Sequence, residues 1–194
     1  MAGAIPREAA GETREDEALM MAYRAGDAGA FDVLYARHRA PVFRFMRRQV
    51  GNEGVAEELF QDVWMRVLGA SYEPRAKFTT WLYTIAHNRL MDHFRSAGRA
   101  ELVSIEDEAE NVIELPGPDN DAPETTLTRK QIAERILAAL DMLPPEQREA
   151  FILQFEGDLS VEDIAQATGV TRETAKSRLR YALAKLRRQL MDGA

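Results

Sequence analysis

The stretch LSVEDIAQATGVTRETAKSRLRYALAKLRRQL, residues 159–190, decides how the chain reads. A helix of about eight residues carrying Ile164 and Ala165 leads to Gly169, and Val170 and Thr171 open a second, longer helix. Glycine permits a tight turn between two helices, Val170 can plug the angle between them, and threonine is a favoured N-cap. Ser160 followed by Asp163 marks the start of the first helix in the same way. In the second helix Ala175, Leu179, Ala182, Leu183 and Leu186 form one stripe, opposite Arg172, Glu173, Lys176, Ser177, Arg178 and Arg180. Residues 171–190 hold seven bases against the single acid Glu173. A helix-turn-helix charged in this way offers its N-terminal side chains to base edges and its cations to phosphates. The plainer alternative is a solvated basic face on a helical hairpin, and turn spacing, capping and charge placement together weigh against it.

Upstream of this motif, helical periodicity predicts elements near 128–142 and 145–156, separated by Pro144 and Pro145. Before them, residues 100–128 carry nine acids and no base, with Pro116, Gly117, Pro118 and Pro123 interspersed. Such a stretch breaks helices and stays in water, so 100–127 reads as a flexible acidic linker. An ordered surface loop is the alternative there.

Residues 31–99 are basic again, with eleven bases against seven acids. The net charge of −7 is therefore an average over segments of opposite sign, a pattern that favours nucleic-acid contact. Short apolar repeats predict a helix around Leu19–Tyr23, ended near Gly26, and another from Ala28 to Val50 that Pro41 should kink or split. Val55, Leu59, Val63 and Val67 form an i, i+4 stripe on a third helix, about 53–68. Leu82, Ile85, Ala86, Leu90 and Phe94 define a fourth, about 79–97. The expected fold is all-α: a tail at 1–14 and two small helical domains, 15–99 and 128–194, joined by the linker. The second of these is the helix-turn-helix.

Two further segments carry candidate chemistry. Residues 72–99, YEPRAKFTTWLYTIAHNRLMDHFRSAGR, interleave Phe78, Trp81, Tyr83, His87, Asn88 and His93 with Arg75, Lys77, Arg89, Arg95 and Arg99. Aromatic rings stack on single-stranded bases and Asn and Arg bind bases or phosphate, although rings at helical spacing also suit a core. Residues 56–68, AEELFQDVWMRVL, set Glu57, Glu58, Gln61 and Asp62 on one polar face, suited to a protein partner or simply to water.

Other chemistries lack their residues. There is no cysteine, which removes disulfides, thiolate metal sites and cysteine nucleophiles. No His stands three residues after a Glu, and no phosphate-binding glycine loop occurs, so neither metal nor cofactor is expected. No apolar run is long enough to span a membrane, and the N-terminal residues lack the apolar core of a signal peptide. A cytoplasmic protein without enzymatic activity is the expectation.

Taken in order, the three segments resemble the extracytoplasmic-function (ECF) family of bacterial RNA polymerase sigma factors, over about residues 15–99 and 128–190. AEELFQDVWMRV looks like the family's polymerase-binding helix. FTTWLYTIAHNRLMDHFR looks like the segment that opens promoter DNA at the −10 element, and residues 143–187 look like the −35-reading domain. The resemblance implies that Glu58, Leu59, Gln61, Asp62 and Met65 meet the β′ clamp helices of core RNA polymerase, with the β flap a second contact. It places Asn88, Trp81, Tyr83, His87, Asp92 and Arg95 on the −10 strand, and Arg75, Lys77 and Phe78 in a base-capturing loop. Many relatives carry a basic or amide residue where this chain has Asp92. Arg172, Glu173, Lys176, Ser177, Arg178 and Arg180 match the −35 recognition helix. Promoter DNA, core polymerase and an anti-sigma factor are the implied partners, in a stress response. A conventional helix-turn-helix regulator explains residues 159–190 equally well but leaves the aromatic-basic segment and acidic linker without a purpose.

Overall fold

The structure is a computed structural model that describes residues 13–98 and 129–192. The expected linker, and residues 1–12 of the expected tail, lie outside the described residues. Among the described residues all regular structure is helical. The first domain holds α1 (Asp16–Arg24), α2 (Ala28–Val50), α3 (Glu53–Gly69) and α4 (Phe78–Ser96), and the second α5 (Arg129–Asp141), α6 (Pro145–Phe155), α7 (Val161–Thr168) and α8 (Arg172–Asp192).

Local chemistry sets most of these boundaries. Asp27 and Asn52 cap α2 and α3, accepting from the Ala30 and Val55 N–H groups. Gly51 ends α2 in the left-handed region, at φ 69°. Pro41 does not split α2, which runs through it as one helix from Ala28 to Val50. Leu34 before it and Val42, Phe45 and Met46 after it are fully buried, so packing on both sides of the proline supports the continuous helix.

The start of α4 has no local cap. Its Phe78 N–H donates instead to Glu17 Oε1 of α1, at 2.7 Å. A carboxylate there also faces the positive end of the helix dipole. Replacing Glu17 by Ala strands a half-buried N–H and should cost about 1–3 kcal/mol, measured as a lower urea midpoint at unchanged slope.

Asp16 closes the same end of the domain, accepting from Arg37 Nη1 at 2.7 Å and pairing with His38 Nε2 at 2.6 Å. Burial alone would raise the Asp16 carboxyl, but the hydrogen bonds from His38 and Arg37 outweigh it and hold the group below its ordinary value. Its contribution to stability is thus complete above the ordinary aspartate range and lost as the pH falls through it.

The two domains do not stand apart. Buried residues of both belong to one hydrophobic cluster, in which Leu19, Leu34, Phe45, Leu59 and Leu82 join Ile152, Leu153, Ile164 and Leu179. Helix α4 packs on α7 and α2 on α6, while a second cluster of Ala139, Leu140, Leu143, Ala182 and Leu186 ties α5 to α8. At the seam Gly157 is forced by close approach. A Cβ there would lie 2.6 Å from the Leu153 carbonyl oxygen and 3.0 Å from the Tyr83 ring.

Candidate nucleic-acid interface

The helix-turn-helix forms as the sequence requires. Ser160 and Asp163 make a reciprocal capping box at the start of α7, and Gly169 ends it at φ 69°. Thr171 then caps α8, its hydroxyl accepting from the Thr174 N–H at 3.1 Å. Ala175, Leu179, Ala182 and Leu186 are buried beneath the helix. Arg172, Glu173, Lys176 and Arg180 are exposed on its outer side, with Ser177 and Arg178 half-buried at the edge. Arg172 is steadied by ion pairs to Glu162 of α7 and to Glu173, and the Arg180 guanidinium lies 5.0 Å from the Tyr181 ring centroid. The hydrogen bond from Arg172 holds the Glu162 carboxyl below its ordinary value. The result is one contiguous, preorganised and mostly cationic face.

The residues of α4 and the loop before it divide into two sets. Asn88 and Arg95 are exposed, Arg95 pairing with Asp92 at 3.2 Å while Asp92 also meets Arg66 at 3.5 Å. Arg75 is exposed beside Glu73, 2.8 Å away. Trp81 is half-buried, its ring 5.0 Å from Tyr72 and 5.9 Å from Phe78.

Phe78 and Tyr83, both expected to face DNA, lie in the core of this packed arrangement. Phe78 is fully buried and Tyr83 is 1% exposed. Phe78 opens α4 against Tyr72 and His38, and Tyr83 meets Phe45 edge-on at 5.4 Å. Burial is the first reason the Tyr83 hydroxyl is pushed far above its ordinary value, and the nearby Glu156 charge adds to it.

Other residues of this surface are engaged by the second domain. His87 Nδ1 lies 2.7 Å from Glu149 Oε1, a pair with both members largely buried. The carboxylate only accepts, so Nδ1 carries the proton. Thr80 donates to Asp163 Oδ1 at 2.8 Å, and Lys77 Nζ reaches Asp163 Oδ2 at 3.3 Å. Arg44 and Arg48 of α2 both donate to Glu156, at 2.6 and 3.2 Å. Three carboxylates of the second domain thus occupy cationic or polar groups of the first. The sequence reading missed Thr80, Glu149, Glu156 and Asp163 in this role, since each pair spans between 62 and 112 residues.

On α3, Glu58, Gln61 and Met65 are exposed, Met65 to 67%. Leu68, 39% exposed and not foreseen, extends that apolar spot by one helical turn. Asp62 accepts from Arg89 Nε at 2.7 Å, with Glu58 3.9 Å from the same guanidinium. Leu59, also expected as a polymerase contact, is fully buried in this arrangement. It belongs to the apolar stripe that faces the core. Among the described residues no group of three His, Asp or Glu side chains is placed to hold a metal ion, and no helix is long and apolar enough to cross a membrane.

Known proteins share this arrangement of two helical domains, the second built on a helix-turn-helix. The family model Sigma-70 region 2 matches residues 34–100, and Sigma-70, region 4 matches residues 128–186. The RNA polymerase sigma factor CarQ of Myxococcus xanthus is 31% identical over 173 residues, which cover 88% of this chain and 95% of that protein. The ECF RNA polymerase sigma factor BldN of Streptomyces coelicolor is 32% identical over 176 residues, 88% of this chain but 64% of BldN. This chain therefore spans about two thirds of that relative. The solved sigma factor RpoE from Bartonella quintana, in complex with the anti-sigma factor NepR, has a TM-score of 0.61 at 28% identity. The match covers 83% of this chain and 96% of that one. The chain belongs to the ECF family of RNA polymerase sigma factors, and is a factor for promoter-directed transcription initiation.

Proposed function

We propose that residues 15–99 dock on core RNA polymerase through the exposed face of α3 and read the −10 element with α4, and that residues 128–194 read the −35 element with α8. The observation that carries this reading is the outer face of α8. There Arg172, Lys176 and Arg180 project into solvent from a helix whose opposite side is buried. Glu58, Gln61, Asp62 and Met65 are the polymerase contacts, and Asn88 with Arg75, Trp81, Asp92 and Arg95 faces the unpaired strand. The protein makes and breaks no covalent bond, and it acts in the cytoplasm.

The packed arrangement is a state from which the domains part before DNA is engaged. Lys77 and His87, which belong to the DNA surface, are held by Asp163 and Glu149. An anti-sigma factor would hold this state, as the Bartonella relative's complex with NepR suggests by analogy. Acid loosens it. Burial raises the Asp163 carboxyl, but hydrogen bonds from Ser160 and Thr80 prevail and leave it below its ordinary value. The seam contact is therefore intact above the ordinary aspartate range and lost as the pH drops through it, visible as an increased radius of gyration in acid.

Mixing the purified chain with core RNA polymerase tests the whole reading. A one-to-one complex by gel filtration with light scattering, and transcripts from a linear promoter template, are expected. Failure of the folded, partner-free chain to bind at micromolar concentration would leave a two-domain DNA-binding regulator. Asp62→Ala is expected to weaken core binding about tenfold, the loss of one charged contact, and to leave −35 binding unchanged. Because Asp62 also holds Arg89, Arg89→Ala serves as the control that breaks the same internal pair from the other side.

A further inference from the structure

Two clefts meet along the seam between the domains. The first, of about 520 Å³, is walled by Arg44, Arg47 and Arg48 from the end of α2 and by Arg148 from α6. The second, of about 320 Å³, mixes Leu90, Met91, Phe94, Pro145 and Val170 with polar residues that include His87, Glu146 and Glu149, and shares Gln49 and Arg148 with the first. Arginines in the last turn of a helix are ordinary, since they complement its dipole, and that accounts for Arg47 and Arg48. It does not account for Arg148, which arrives from another helix in the other domain.

The partners these groups have are too few. Glu156 accepts from both Arg44 and Arg48, so one carboxylate serves two guanidinium groups. Arg47, 60% exposed, has only Glu53 at 4.0 Å. Arg148 reaches the Asp141 carbonyl oxygen at 3.4 Å, and its buried Nε has no partner. Burial pulls the Arg148 guanidinium below its ordinary value, opposed by the Asp141 and Glu146 charges. Gln49 lies between the two clefts, 8% exposed, with its Nε2 buried and also without a partner. Four arginines and a single carboxylate, Asp141, line this cleft, while Glu156, Glu53 and Glu146 offset the arginines' charge from outside its wall. A buried amide donor and a guanidinium with an unpartnered Nε, both in residues that line the arginine cleft, fit oxygens that accept several hydrogen bonds and carry charge.

From this arrangement we infer that the seam is a binding site for a diphosphate group, held by arginines of both domains with Gln49 at its inner end. The inference does not depend on how the chain meets polymerase or promoter. Diphosphate could arrive as the inorganic ion or as the tail of a nucleotide whose base enters the second cleft beside Phe94. In either form it would bridge α2 and α6, and so favour the packed state.

Calorimetric titration of the full chain, with pyrophosphate and separately with ADP at matched ionic strength, tests this. One-to-one binding of pyrophosphate is expected, with Kd at or below about 100 µM. Arg47→Ala and Arg148→Ala should each weaken it about tenfold, while Arg39→Ala, an exposed arginine elsewhere on α2, should leave it unchanged. Gln49→Leu gives a signature that simple structural damage would not: weaker pyrophosphate binding from a protein at least as heat-stable, because an orphaned buried amide has been removed. Tighter binding of ADP than of pyrophosphate assigns the site to a nucleotide, and equal binding assigns it to the inorganic ion. No saturable binding of either, or equal losses in the Arg39 and Arg47 variants, overturns the site. Because Arg47 lies at the surface, its variant folds and keeps the test decisive even if the Arg148 variant does not.

Discussion

Replacing Lys176 and Arg178 together by alanine is expected to weaken −35 duplex binding by roughly 30-fold to 10⁴-fold, at about 1–3 kcal/mol for each side chain. The two contribute differently. Lys176 is exposed on the outer face of α8, so its ammonium has no competing internal partner to satisfy. Its loss should fall nearly uniformly on all DNA sequences and reduce the slope of log K against log salt by about one. Arg178 is half-buried and lines the second seam cleft with Phe94 and Val170. Arg178→Ala therefore removes packing as well as charge, which Arg178→Lys separates: stability returns with the stem, while bidentate base reading does not. Fluorescence anisotropy over a series of salt concentrations reads both effects. An unchanged slope in the Lys176 variant would remove α8 from the DNA interface.

The helix-turn-helix was legible because every device that builds it is local. Ser160, Asp163, Gly169 and Thr171 act within three or four residues of their own positions, and the cap bonds are found where spacing places them. Gly51 ends α2 for the same reason. A split at Pro41 does not occur because the proline's local cost is met by tertiary packing of Leu34, Val42 and Phe45 that a linear reading does not contain. The expected site residues divide on the same principle. Polar positions such as Glu58, Asn88 and Lys176 are at the surface, because desolvating them without partners is unfavourable. Leu59, Phe78 and Tyr83 are buried because apolar area prevails over any role suggested by motif position. The seam was invisible in the sequence. Nothing local links Glu156 to Arg44, or Glu149 to His87, across 112 and 62 residues.

Tyr83→Ala decides between the two readings of the aromatic segment, and its expected effect is loss of stability rather than loss of base contact. The side chain is 1% exposed, packs edge-on against Phe45, and is 3.0 Å from where a Cβ on Gly157 would sit. Truncating a large buried ring of this kind costs about 3–5 kcal/mol, from lost transfer energy and from the cavity left behind. That is a large share of the 5–15 kcal/mol by which a domain of ordinary stability is held, so the urea midpoint should fall sharply. Because the ring lies at the seam, the second domain should loosen as well, read as an increased radius of gyration. Tyr83→Phe keeps the ring and the contact with Phe45 and should remain close to the parent in both respects. If the ring instead served DNA, Tyr83→Ala would melt at the parent temperature and fail only in opening the −10 region. A stable Tyr83→Ala protein defective only in promoter opening would show that this ring leaves the core when the domains part.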